Sequence, residues 1–391
     1  MAKNFNWYYH KLLAEFYRFN SNSPDDIILS DTLSTVDDIQ SFFHELRTKC
    51  KPGARIFVNM HNFLWKPVLS LAEALRIKEP QKVNNWLTIK DVTNLLELED
   101  FEVISAGSRI LMPIYIPVIS EFCNRVLAHL PIVNTLCFMN YLVARPRVNQ
   151  KQDMSVSIVI PVRNESGNLE SVIRRIPTFG THQELIFVEG NSKDGSWNTL
   201  QQLKKKYRGT DIKLYKQKGV GKADAMRLGF AKATGDIFLI LDADASVSPE
   251  DMVKFYDAVI SGKGEFINGS RLVYPVEKEA MRFLNILGNQ FFSVALSWII
   301  NQKIKDTLCG TKAISRINYK RIVNGRSYFG DFDPFGDFDL IFGSAKLNLK
   351  FIEVPVRYHA RVYGTTNISR FRHGLLLAKM TLFALGKMKF V

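Results

Sequence analysis

The sequence predicts an α/β protein whose main domain is a doubly wound, Rossmann-like sheet, with a smaller α/β half-domain before it. Three observations carry this. Ile237 to Asp244 is an apolar run ending in two carboxylates one residue apart, Asp242 and Asp244. Upstream of it, two strand-like runs each break into a polar turn followed by a helical pattern. Residues 1 to about 147 also alternate strand and helix, in a stretch of different character. Repeated strand, turn and helix imply parallel strands joined by right-handed crossovers.

Asp26 to Asp31 is a short strand, Val36 to Leu46 a helix, and Lys51-Pro-Gly a turn into a strand that reaches Asn59. Thr88 to Leu98 is helical, Phe101 to Ile104 a strand, and Leu136 to Ala144 the last strand of the region. These elements resemble the second half of a class I S-adenosylmethionine-dependent methyltransferase of the kind fused to family 2 glycosyltransferases. Tyr8 to Leu13 resembles the helix that precedes the cofactor-binding half in those fusions. That half is missing, because after Asn20 the chain passes through Ser-Asn-Ser-Pro24 to what would be the fourth strand. Cofactor binding in such folds needs a Gly-rich turn after the first strand and an acid ending the second. Neither precedes Asp25, so no S-adenosylmethionine is expected here, and residues 1–147 read as a degenerate packing or interaction module. A half sheet leaves an edge and a bare face. A partner, a second copy or the catalytic domain is expected to cover them, with Leu111 to Leu136 as the sticky surface. The polar stretch Arg145 to Asp153 sets a linker at 148–154.

In the main domain Ser157 to Glu165 is an apolar strand that breaks at Pro161 into a polar turn, followed by a helical period through Leu169, Val172, Ile173 and Ile176. Leu185 to Glu189 is a second strand, ending in the acidic, Gly-rich turn Gly190 to Gly195. Ile212 to Lys216 precedes Lys218-Gly-Val-Gly-Lys222, where glycines admit a ligand closely and Lys222 opens a helix. Ligands in such sheets bind beyond the carboxyl ends of the strands, where Asp242 and Asp244 fall. Two oxygen donors with one spacer suit Mg²⁺ or Mn²⁺ shared with a diphosphate. The competing reading has Asp244 capping a helix that starts near Pro249-Glu250, with Asp242 a loop residue.

Eight ordered segments then carry a more specific resemblance: IPVRNE at 160–165, VEGNSKDGS at 188–196, GVGKADAMRLGF at 219–230, DADASVSPE at 242–250, NGSR at 268–271, DTLCGTKAISR at 306–316, FGDFDL at 335–340 and EVPVRYHAR at 353–361. Residues 155–373 resemble a family 2 glycosyltransferase with the GT-A fold, similar to dolichyl-phosphate mannose synthase and other polyprenyl-phosphate sugar transferases. The resemblance implies that Pro161, Asn164, Glu165 and Glu189 frame the base and ribose of a GDP- or UDP-linked sugar. It implies that Lys222 is a point charge near base or diphosphate, that Asp242 and Asp244 hold the sugar-nucleotide and its divalent ion, and that Arg271 offers a fork to phosphate oxygens. Relatives more often show two Asp where this chain has Glu189-Gly190, and a Gln where it has Ser246. Asp337 and Asp339 match an acidic pair near the acceptor, facing one side if the segment is extended. One of them would serve as general base toward a hydroxyl acceptor, or would orient a phosphate acceptor, which needs no base. The competing reading places them with Asp331 and Asp333 in a solvated acidic loop. Arg361, Gly364, Thr366 and Arg370 match a loop that closes over the diphosphate and acceptor phosphate, although Thr366-Asn367 stands where Ser-Lys is usual, and a solvated basic loop is the alternative. The family inverts the anomeric centre by direct displacement, with Asp337, Asp339, Asp244 and Arg361 as the expected catalytic group.

Composition narrows the partners. The formal charge of +14 in 391 residues is uneven, at +1 for residues 1–150 and +13 for 151–391. A basic catalytic half suits diphosphates and an anionic membrane surface, and no nucleic-acid motif accompanies it. Cys50, Cys123, Cys137 and Cys309 lack CxxC spacing, so neither a zinc site nor a disulfide framework is indicated. The start lacks a signal-peptide core, and Phe283 to Ile300 is interrupted by Asn285, Asn289 and Gln290. Residues 374–391 read as an amphipathic basic helix, either lying on a membrane surface or packed on the catalytic domain. The expectation is a peripheral protein at the cytoplasmic membrane face that moves sugar to a lipid phosphate. Transfer to a glycan or glycolipid hydroxyl is the second reading, and a catalytically silent scaffold the third.

Overall fold

The computed structural model describes residues 2–76, 85–148, 151–274, 283–330, 336–361, 363–364 and 370–390. The chain divides into two units, Met1–Val148 with Leu385–Val391, and Asn149–Ala384.

The first unit holds strands β1 (Ile27–Ser30), β2 (Ile56–His61), β3 (Phe101–Arg109) and β4 (Met139–Pro146) with helices α1 (Ala2–Asn20), α2 (Ile39–Lys49), α3 (Lys66–Ala74), α4 (Ile89–Leu98) and α5 (Ile119–Arg125). The sheet order is β1-β2-β4-β3, with β1 parallel to β2 and the other pairs antiparallel. Thr88 and Asp91 close a capping box at the start of α4. The bare face expected of a half sheet is not there. Leu13 and Phe16 of α1 join Phe57, Ile104 and Val143 in a core on one face, while Phe43 and Leu96, from α2 and α4, join Val58 and Leu142 on the other. In β2 and β4 alternate residues supply the two cores, as the pleat dictates. The surface between 111 and 136 does expose Val118, Ile119, Phe122 and Ile132.

The second unit holds β5 (Val156–Val162), β6 (Gln183–Glu189), β7 (Asp211–Lys216), β8 (Ile237–Ile240), β9 (Phe266–Ser270), β10 (Lys312–Ser315) and β11 (Phe351–Pro355). Its helices are α6 (Leu169–Arg175), α7 (Ser196–Lys206), α8 (Lys222–Lys232), α9 (Met252–Ile260), α10 (Phe283–Ile300), α11 (Arg316–Gly325), α12 (Phe338–Lys346) and α13 (Arg370–Ala384). The sheet runs β11-β9-β10-β8-β5-β6-β7. Strands β7, β6, β5 and β8 are mutually parallel, β10 is antiparallel to both neighbours, and β11 is parallel to β9. The Rossmann-like mixed sheet read from the sequence is therefore present. From β5 the chain winds outward to β6 and β7, then returns to β8 on the other side, so the switch point lies between β5 and β8. That is where doubly wound sheets bind ligands. The antiparallel β10 brings its first residue, rather than its last, to the same edge.

The C-terminal helix ends earlier than 391. After α13 a single wider turn, Leu385–Lys389, follows. Lys389 is not on a polar outer face; it is buried, and burial with the neighbouring Arg109 charge pulls its ammonium down to about 7. Among the described residues no helix is long and apolar enough to cross a membrane.

Candidate active site

The site forms where the β5 and β6 turns meet the end of β8. Register pairs Val162 with Glu189, and the Gly190 amide donates to the Val162 carbonyl at 2.8 Å. The two turns are then locked together. Asn164 N–H donates to Ser192 Oγ at 2.9 Å, Lys193 N–H to Asn164 Oδ1 at 2.8 Å, and Ser166 N–H to Asp194 Oδ2 at 3.0 Å. Asn164 itself adopts a left-handed backbone, φ 58°, which Asn tolerates better than most residues. The buried Glu189 carboxylate accepts from the Ser192 amide, so it shapes this turn. Pro161 lies in β5, opposite Val188.

After β8, Leu241 N–H still donates to Val159 O at 3.1 Å, and the chain then turns sharply. Ala245 takes φ 51°, a strained value for a residue with a Cβ. Ala245 N–H donates to Asp242 O at 3.3 Å and Ser246 N–H to Asp244 Oδ1 at 2.9 Å. Both carboxylates face cations: Lys222 Nζ lies 2.6 Å from Asp242 Oδ1, and Arg361 Nη2 lies 2.5 Å from Asp244 Oδ2. Arg361 also reaches Glu165 Oε1 at 3.5 Å. Its segment is fixed by His359 N–H donating to Ser246 O at 2.9 Å and by Tyr363, whose hydroxyl lies 3.0 Å from Ser166 Oγ. Gly364, at φ 83°, lies against the same turn, since a Cβ there would stand 3.4 Å from Asn164 O. Thr366 lies outside the described residues, as do Asn367, Asp331, Asp333 and the side chains of Arg370 and Arg372.

The far wall comes from β10 and α12. Gly310 passes so close that a Cβ would overlap both the Asp242 carboxylate and the Lys222 ammonium. Gly336 packs on the first turn of α8, where a Cβ would stand 2.9 Å from Ala223 Cα. The next residue, Asp337, is thereby held beside Lys222. It sits at the cap position of α12, yet its carboxylate makes no capping bond and lies 3.1 Å from Lys312 Nζ.

Two expectations are corrected here. Asp337 and Asp339 do not share a side of an extended segment, because Phe338 begins a helix and turns them apart. Asp339 pairs with Arg326 at 2.8 Å and Arg227 at 3.9 Å, away from Asp242. The Arg271 fork is closed on the buried Asp306 carboxylate, at 2.7 and 2.8 Å, and its plane stacks 4.9 Å from the Tyr358 ring. Arg271 thus braces the segment that carries Arg361 instead of offering free donors. Asp306 is held down to about 2: burial opposes ionisation, and Arg271, Asn289 and a backbone amide outweigh it.

Electrostatics favour a cation at Asp242 and Asp244. Burial works against both members of the Lys222–Asp242 pair, but their mutual attraction wins, raising the lysine and lowering the aspartate. Glu165 is pushed up, by burial first and by Asp244 in addition. Among the described residues, four carboxylates (Asp242, Asp244, Glu165 and Asp337) share three cationic side chains (Lys222, Lys312 and Arg361). Ser246 Oγ is buried without a hydrogen bond among the described residues. An all-oxygen donor set of Asp242, Asp244 and Ser246 fits a hard divalent ion. No group of three His, Cys, Asp or Glu is arranged as a metal site among the described residues.

Comparison with known proteins adds to this geometry. The family described as glycosyl transferase family 2 matches residues 157–322, which include the β5 and β6 turns, Lys222, Asp242, Asp244, Gly310 and Lys312. This stretch of the chain is similar to a family 2 glycosyltransferase domain.

A dolichol-phosphate mannosyltransferase of Pyrococcus furiosus is 32% identical over 223 residues, which is 55% of this chain and 59% of that protein. A UDP-N-acetylglucosamine–dolichyl-phosphate N-acetylglucosaminyltransferase of Methanococcus voltae is 24% identical over 246 residues, covering 58% of this chain and 97% of that one. Glucosyl-3-phosphoglycerate synthase from Mycobacterium tuberculosis is similar in structure, with TM-score 0.43 and 17% identity over 60% of this chain and 80% of that one. Within the glycosyltransferase domain, sequence reading missed Lys312 and the Asp306 partner of Arg271. Both lie in the DTLCGTK segment, and a lysine opening an otherwise apolar strand was the available signal.

Proposed function

We propose that the glycosyltransferase domain moves a sugar from a GDP- or UDP-linked donor to a polyprenyl-phosphate-type lipid, inverting the anomeric centre. The observation that carries this is the convergence of Asp242, Asp244, Lys222 and Arg361 at the switch point, with Asp337 facing them from α12. The names of the two relatives, both lipid-phosphate sugar transferases, support the acceptor class.

Asp242 and Asp244, with Ser246, would hold Mg²⁺ or Mn²⁺. That ion supplies positive charge to the leaving nucleoside diphosphate. In the displacement, an acceptor oxygen bonds to the anomeric carbon as the bond to the diphosphate oxygen breaks and the electron pair leaves with the diphosphate. Lys222 and Arg361, now paired with the two carboxylates, are the cations positioned to bind phosphate oxygens. The β5 and β6 turns frame the base and ribose, with backbone groups and Asn164 in place of a free Glu189.

A hydroxyl acceptor is the second reading, favoured by one observation: among the described residues Asp337 Oδ1 is buried with no hydrogen bond beside its ion pair with Lys312, and it would accept a hydroxyl proton. Incubation with GDP- and UDP-sugars and either polyprenyl phosphate or glycan acceptors separates the two. Labelled lipid is the expected product; labelled glycan alone would favour the second reading, and no transfer to any acceptor would refute both.

A membrane-surface location follows from the acceptor, with the apolar faces of α10 (Phe291, Val294) and α13 (Leu375, Leu382) as the contact. For residues 1–148 the proposed role is packing or interaction without S-adenosylmethionine binding.

A further inference from the structure

Lys312 is 1% exposed, among the most buried large side chains of the protein. A buried ammonium persists only where its charge is matched and its donors are used. Here Nζ donates to the Cys309 carbonyl, in the turn that presents Gly310 to Asp242 and Lys222, and lies 3.1 Å from Asp337 Oδ1. The strand pairing explains how it arrives there. Antiparallel β10 begins where β8 ends, with Lys312 opposite Ile240 and Asn268, two residues before Asp242 in the neighbouring strand. Its charge is among those that favour ionised Asp242.

Asp337 also feels the charge of Lys222 across the pocket. It makes no side-chain bond to the first turn of its own helix, and among the described residues Oδ1 has no hydrogen bond beside its ion pair with Lys312. The carboxylate is therefore aimed by an ion pair and by the packing of Gly336 against Ala223, which leaves lone pairs for a ligand.

We propose that Lys312 is a positioning residue for sugar transfer: one buried ammonium fixes the Gly310 turn under the donor carboxylate and aims Asp337 at the acceptor side. This rests on the glycosyltransferase reading of the same pocket. It also explains how an anionic acceptor can approach beside Asp337, since Lys312 offsets that charge from within the wall.

The test is steady-state transfer by wild type, Lys312→Met, Lys312→Arg, Asp337→Asn and the Lys312→Met/Asp337→Asn double variant, each checked for native circular dichroism. Lys312→Met is expected to lower kcat about tenfold or more, with donor KM within about twofold, because donor phosphates are held by other cations. Lys312→Arg should recover part of the loss. The double variant should lose less than the product of the two single losses, since the lysine acts in part through that carboxylate. It removes both charges together, so it remains informative where Lys312→Met alone misfolds. Wild-type kcat in Lys312→Met, or fully additive losses in the double variant, would overturn the assignment while leaving the proposed function standing. A wild-type protein that transfers no sugar would remove both.

Discussion

At the residue scale, the candidate site is a set of charges held in pairs. Asp242 holds Lys222 and Asp244 holds Arg361, and in the first pair mutual attraction outweighs the cost of burial. Replacing either carboxylate by its amide is expected to cut transfer by about 10²-fold or more, with the fold unchanged by circular dichroism, since the charge acts where negative charge leaves. Away from the site, Glu184 gives a pH prediction. Burial pushes its carboxyl up, but Lys213, Ser157 and the Thr234 amide outweigh that and hold it down from 4.5 to about 2. A depressed folded value stabilises above the unfolded one, so up to about 3 kcal/mol is present in full near neutral pH and lost as pH falls from about 4.5 through about 2. Acid unfolding of Glu184→Gln should be shallower than wild type over that window; an identical slope would contradict the linkage.

At the scale of elements, glycines and one antiparallel strand decide what the charges can reach. Gly310→Ala must move Asp242 or Lys222, and a displacement near 1 Å is enough to cost about 10²-fold in rate. Unchanged kcat in that variant would mean that the pocket tolerates the shift. The parallel strands and their turns were legible because buried runs bounded by polar, Gly-rich turns leave a plain pattern, as at Ile237 to Asp244. The α12 start was not legible: Gly-Asp-Phe-Asp-Leu alternates polar and apolar like a strand, yet a helix begins at Phe338, just after Gly336 packs on Ala223. Nor was the engagement of Arg271, because its partner Asp306 lies 35 positions away and meets it only through β9. Apolar positions on α10 and α13 set a further expectation. Replacing Phe291, Val294, Leu375 and Leu382 by Ser should reduce co-sedimentation with anionic liposomes, and unchanged co-sedimentation would exclude this face.

At the scale of the whole molecule, two α/β units share one chain, and the catalytic proposal belongs to the second. The first carries its own two-sided core, which removes the need for a partner to cover a bare face. Calorimetric titration of the full chain with S-adenosylmethionine should show no saturable heat; a stoichiometric isotherm would make the first unit a cofactor-binding domain. The central claim is that Asp242 and Asp244 mark a metal-assisted sugar-transfer site. It is tested most directly by transfer from labelled GDP- and UDP-sugars to polyprenyl phosphate, with wild type and Asp242→Asn, in Mg²⁺ or Mn²⁺ and in excess chelator. The account predicts labelled lipid from the wild type with metal only, and about 10²-fold less or lower still from Asp242→Asn. Full transfer in chelator, or by Asp242→Asn, would contradict it.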